Sequence, residues 1–227
     1  MDKYARGCRY HGSYYSRNRR RRVRTTARMF KYLLMIAVVA CIALSAKSTR
    51  ADLAVIPEVI QGLPEDVREA LLSVTAPLIA TAIRESRQQA IDRGVSPIPP
   101  HIRATLQPYF PTAILDKARW TTAGGISLDG ALTEWFNMEG AITLGEVIAF
   151  SDGMQAQDVE VWSHELTHVT QYEQLGIDTF ALEYSNDFTV LEGQARDNAS
   201  RTMASIAAAE TDRARAKPEE LQESAPR

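Results

Sequence analysis

Cysteine is nearly missing from this chain of 227 residues; its only two, Cys8 and Cys41, both lie before residue 52. The remainder therefore has no disulfide framework and no thiolate metal site, so any metal ion there must be held by histidine and carboxylate. Long apolar runs are missing too. The segment Tyr32 to Ala46, YLLMIAVVACIALSA, is uncharged, but as a helix it spans only about 22 Å at ~1.5 Å per residue, short of a ~30 Å hydrocarbon core. Acids are almost absent from the first 51 residues, where Asp2 stands against 13 Lys and Arg. The balance then reverses, because residues 52–227 hold 13 basic and 27 acidic residues. An acidic body repels phosphate backbones, which excludes nucleic acid as its partner.

The basic run Arg17 to Arg24, followed directly by the apolar segment, reads as a targeting region. Its length and basic flank fit a secretory signal, with small Thr49 and Ala51 placed for cleavage before Asp52. Read from Met29 it is an ordinary signal peptide. Two other fates fit the same residues. Val38-Val39-Ala40-Cys41 loosely matches a lipoprotein processing box, and an uncleaved segment is a short membrane anchor. Each makes the protein exported, periplasmic or extracellular, and touching a membrane only through this segment.

The chain divides into four parts: 1–51, the basic segment with its signal or anchor; 52–100, a helical extension and linker; 101–213, the main domain; and 214–227, a charged, disordered tail. Residues 52–94 carry a helical apolar stripe through Val67, Leu71, Leu72, Val74, Leu78, Ile79, Ala82 and Ile83, which Pro77 is expected to kink or split. Ser96 to Pro100 is read as a linker. Two short helices follow, over 102–109 and 111–117. The run Ala118 to Thr122 is a strand, and Ala141 to Leu144 with Gly145 to Phe150 is a hairpin or bent strand pair. Helices are expected over 157–175, stopped by Gly176, over 178–184, and over 187–215. No internal repeat is visible. The pattern is α+β: mostly helical, with a small sheet.

The chemistry-bearing feature is His164-Glu165-Leu166-Thr167-His168. On a helix, positions i and i+4 share one face, so two imidazoles there can bind one metal ion. Glu165 adjoins the first histidine, where it can act as general base toward water in the HExxH manner. Neutral imidazoles, a carboxylate and one open position suit Zn2+. The implied reaction is hydrolysis of peptide bonds in a peptide or protein substrate. No histidine follows His168, which excludes the three-histidine version of this site, so a downstream carboxylate must supply the third ligand. Glu173, Glu183, Asp187 and Glu192 are in range. Glu173 shares the helix of the histidines and is poorly placed. Glu192, near the start of a returning helix, is favoured, with Glu183 next. Ligating histidines usually donate their other N–H to an oxygen acceptor, for which Asp197 and Asp187 are candidates. Tyr172 and Tyr184 are accessory candidates for steadying an oxyanion, though a buried structural role is commoner for tyrosine. The strand around Ala141 to Phe150 is a candidate border of the cleft.

From Leu106 to about Arg201 the chain resembles the eCIS core domain family of bacterial proteins, named for the extracellular contractile injection system. Four pieces carry the resemblance: Leu106-Gln-Pro-Tyr-Phe110 with Ile114 to Arg119; Ile142-Thr-Leu-Gly145 with Val147 to Phe150; Trp162-Ser-His-Glu-Leu-Thr-His-Val-Thr-Gln-Tyr172; and Leu191-Glu-Gly-Gln-Ala195. The resemblance implies a zincin-like domain, with metal ligands at His164, His168 and Glu192 and a catalytic Glu165. Many zinc peptidases with a glutamate ligand place an aspartate four residues after it; here that position is Arg196, and Asp197 comes one later. The family also implies an alternative: a non-enzymatic, metal-stabilised binding module associated with toxins or injection systems.

Overall fold

A computed structural model describes residues 56–124, 126 and 140–223. The targeting region, with its signal, lipoprotein and anchor readings, lies outside the described residues. Among those described, no helix is long and apolar enough to cross a membrane.

The chain opens with helix α1 (Ile56–Gln61) and the 29-residue helix α2 (Glu65–Arg93). Two corrections to the sequence reading arise here. Pro77 does not split α2, which runs through it to the cap at Gly94. Of the expected apolar stripe, Ile83 is buried and Ile79 and Ala82 pack against the core, but two members are not covered. Val74 and Leu78 are exposed, while Ala76, Ala80, Ile83, Ser86 and Ala90 are buried. The packed face of α2 combines small Ala76, Ala80 and Ala90 with Ile83, and the small side chains let a neighbouring helix backbone come close.

Strand β1 (Ser96–Pro97) follows; the stretch read as a linker is thus an edge strand, paired antiparallel with β2. Helices α3 (Pro100–Leu106) and α4 (Thr112–Lys117) come next, each entered after a proline that supplies extended backbone at the N-cap. Strands β2 (Arg119–Thr122), β3 (Ala141–Leu144) and β4 (Val147–Phe150) complete a mixed sheet in the order β1-β2-β4-β3, with β2 and β4 parallel. The hairpin β3–β4 closes through Gly145 and Glu146 in the register Leu144 to Val147, and Gly145 takes the left-handed φ of +71° that such a turn requires. Arg87 of α2 grips the turn through a two-pronged ion pair with Glu146.

Every residue of β3 and β4 is buried. Side chains alternate across a strand, and here both faces are covered. Ile142, Leu144, Val147 and Ala149 enter one core with Ala80, Ile83 and Leu191. Ala141, Ile148 and Phe150 enter the other with Ile102, Leu106, Leu115, Trp162 and Leu166.

After a 3-10 turn (Gln155–Gln157), helical structure spans Val159–Glu223 with two non-helical residues inside it, Gly176 and Asp187. These divide it into α5 (159–175), α6 (177–186) and α7 (188–223). Gly176 has φ +73° and ψ 165°, a conformation open essentially to glycine alone. Asp187 is extended, and its Oδ1 accepts from the N–H and hydroxyl of Thr189 at the start of α7. Helix α7 runs past residue 214, where a disordered tail was expected, to Glu223. The architecture is α+β, mostly helical with a small four-stranded mixed sheet.

Candidate metal centre

Helix α5 begins at a side-chain cap: Asp158 Oδ1 accepts from the N–H groups of Glu160 (2.8 Å) and Val161 (3.3 Å). Trp162, Leu166 and Val169 recur at helical spacing and bury one face against the sheet. Trp162 packs between Trp120 and Phe150 and donates its indole N–H to Ala156 O at 2.9 Å. This anchoring fixes the rotation of α5 and turns His164 and His168 toward α7.

There the two imidazole Nε2 atoms lie 3.1 Å apart. Glu192 Oε2 is 3.3 Å from His164 Nε2, and Glu192 Oε1 is 3.4 Å from His168 Nε2. None of the three side chains is more than 12% exposed. Glu192 Oε2 is buried without a hydrogen bond; its neighbours are His164 Nε2 and, at 3.6 Å, the Nη1 of Arg196 one turn on. The three residues form a group that could hold a metal ion.

The electrostatics of the group follow from burial and proximity. Burial alone would lower His168, but the Glu192 carboxylate, the Glu165 charge and Gln171 outweigh it and raise the imidazole to about 9. Glu192 moves the other way: burial would raise it, yet His164, His168 and Tyr184 hold it well below the carboxylate range. Glu165 is pushed up, chiefly by burial, against the pull of the histidines and of Thr143. Thr143, the polar residue of β3, donates to Glu165 Oε2 at 2.6 Å.

Of the other sequence candidates, Tyr184 reaches the site and donates its hydroxyl to Glu192 Oε1 at 2.7 Å. Tyr172 is buried, its ring stacked on Phe180 at 3.8 Å between centroids. Burial first, then the charges of Glu165 and Glu192, raise its phenol well above normal. Glu183 is exposed, facing the α2 side beside Glu65, Arg68 and Glu69. Glu173 is paired with Lys117 at the surface. Asp187 caps α7. Asp197 is exposed and makes no hydrogen bond or ion pair among the described residues. Five residues beyond Glu192 is about 140° around a helix, so Asp197 faces away from the site. The expected outer partner of a histidine is instead Gln171, whose Oε1 lies 2.8 Å from His168 Nδ1. Sequence reasoning missed both Gln171 and Thr143. Gln171 had a signal, since it lies three residues from His168 on the same helix face; Thr143 had none, because its place depends on strand docking.

Residues 97–176 match a family model described as the eCIS core domain, and this stretch of the chain carries that domain. It runs from within β1 to the end of α5 and includes His164, Glu165 and His168, whereas Glu192 lies beyond it. Neither a curated protein nor a solved structure matches the chain.

Proposed function

We propose that this protein is a zinc-dependent peptidase of zincin-like type, built on an eCIS core domain and acting outside the cytoplasm on a peptide or protein substrate. The observation that carries the reading is the convergence of three buried ligand groups: the two Nε2 atoms lie 3.1 Å apart, each has one oxygen of Glu192 within 3.4 Å, and one ligand atom from each residue lies within 4.8 Å of the others. With metal–ligand bonds of ~2.0–2.1 Å, the edge of a tetrahedron is about 3.3–3.4 Å, the range in which each imidazole Nε2 meets an oxygen of Glu192, so two imidazoles and one carboxylate suit a zinc coordination sphere. Three protein ligands leave one corner for substrate chemistry.

Zinc bound there supplies Lewis acidity and a nucleophile at neutral pH. The chain's own residues supply the rest. Thr143 holds Glu165 Oε2, which leaves Oε1 to accept a proton from the attacking water and return it to the departing amine. Burial favours the protonated form of Glu165 and so suits it to that second role. Tyr184 keeps Glu192 aimed at the histidines.

Metal content of the purified full chain tests the first half of this reading. About one zinc per chain is expected in the wild type and none in His168→Ala. A peptide library incubated with the zinc-loaded chain tests the second, because Glu165→Gln should keep zinc and lose cleavage. The depth of the triad favours a second reading, a metal-stabilised binding module. Zinc binding without cleavage of any library peptide would select it.

A further inference from the structure

We infer that Gln171 is a positioning residue of this metal centre: its carboxamide sets which nitrogen of His168 faces Glu192 and ties α5 to the backbone beside Glu192. The inference rests on the metal-site reading above. Gln171 is 5% exposed, and its carboxamide has a partner at each end. Its Nε2 donates to Leu191 O at 3.1 Å and to Gln194 Oε1 at 3.0 Å. A backbone carbonyl can only accept, so the nitrogen end must face Leu191. The oxygen end therefore faces His168, with Oε1 2.8 Å from Nδ1. A carboxamide oxygen also only accepts, so Nδ1 is the protonated nitrogen. In the neutral ring, Nε2 then keeps its lone pair, and Nε2 is the atom that lies 3.1 Å from His164 Nε2 and 3.4 Å from Glu192 Oε1.

One side chain thus links the two ligand-bearing helices. Leu191 immediately precedes Glu192, so the bond to its carbonyl holds the backbone from which the third ligand projects. Outer partners of this kind typically contribute 10–100-fold to metal affinity. A second bond between the same helices serves as a control: Asn198 Nδ2 donates to Thr167 Oγ1 at 2.9 Å and touches neither imidazole.

The test is Zn2+ affinity of the full chain by competition with a chromophoric chelator, with folding followed by circular dichroism and the visible spectrum of bound Co2+ as a second readout. Gln171→Leu should fold, bind Zn2+ 10–100-fold more weakly, and change the Co2+ spectrum. Gln171→Glu keeps the acceptor for Nδ1 but loses the donor to Leu191 O, so it should bind more weakly than the wild type and more tightly than Gln171→Leu. Asn198→Ala should bind as the wild type does. A folded Gln171→Leu with wild-type affinity and spectrum overturns the inference while leaving the metal site standing. Should Gln171→Leu not fold, a folded Gln171→Ala with wild-type affinity and Co2+ spectrum overturns it instead. An equal loss in Asn198→Ala would assign the effect to general helix docking and overturn it as well. A wild-type chain that takes up no zinc removes the metal-site reading itself.

Discussion

Glu165, His168 and Glu192 are three ionisable side chains buried within one small volume, where burial and neighbouring charges shift each of them. In the metal-free chain, His168 titrates at about 9, above its ordinary value near ~6.5. The contribution it makes to stability is fully present below about pH 6.5 and is lost as pH rises through 9. Glu192 has the opposite sign: its contribution is present above the ordinary value of 4.5 and is lost as pH falls through its depressed pKa. From this pair, the metal-free chain should be most stable between about pH 4.5 and 6.5 and should weaken toward pH 9. Thermal denaturation of chelator-treated protein at pH 6 and pH 9.5 would measure the difference, and His168→Ala should flatten it. Zinc must displace the His168 proton, so zinc affinity should rise with pH up to about 9, with proton release measurable by calorimetry in buffers of different ionisation heat. Tyr184→Phe removes the hydroxyl that donates to Glu192 Oε1. A hydrogen bond to a charged group contributes about 1.5–3 kcal/mol, so zinc affinity should fall at least tenfold without loss of the fold; an affinity equal to wild type would show that Glu192 holds its orientation without Tyr184.

At the level of elements, the site is a consequence of how α5 is pinned and where it stops. Trp162 is fully buried between the sheet and the helices before it. Its truncation in Trp162→Ala should cost about 3–5 kcal/mol, read as a lowered denaturation midpoint in urea. The stop is Gly176, whose φ of +73° and ψ of 165° redirect the chain so that α6 and α7 return past the histidines. Gly176→Ala strains that backbone by about 1–3 kcal/mol and should weaken both the fold and zinc binding. Wild-type stability in this variant would show that the break tolerates a side chain. Behind the His164, His168 and Glu192 group, Tyr172, Phe180, Tyr184 and Phe188 stack in series from α5 through α6 into α7. That ladder fills the apolar wall of the site and accounts for the structural role of Tyr172, while Tyr184 serves both the stack and Glu192.

Across the whole molecule, a metal ion held by His164, His168 and Glu192 would join α5 to α7 across two helix breaks. Zinc at 100 times its dissociation constant should therefore stabilise the fold by about 2.7 kcal/mol, and a chelator should reverse the gain in a thermal scan. Much of this was readable from the residues alone. Helical spacing put His164 and His168 on one face, and Gly176 marked the end of their helix, because both facts depend only on local backbone geometry. The hairpin was legible in Ala141 to Phe150 for the same reason. The position of Glu192 near the start of a returning helix made it the favoured ligand, but its convergence with the histidines waited on the angle at which α7 packs against α5. Other features had no local signature at all. Which residues of the α2 stripe are buried depends on what packs against it: Ile79, Ala82 and Ile83 meet the core, while Val74 and Leu78 stay exposed. Asp197 was a reasonable partner for a histidine by number but faces solvent, while Thr143 meets Glu165 from a strand 22 residues away. The sequence by itself determined which side chains can gather as a metal-binding group and the helices that carry them. Only the tertiary structure decided which carboxylate, hydroxyl and carboxamide surround those ligands, because their approach is set by packing between elements distant in the chain.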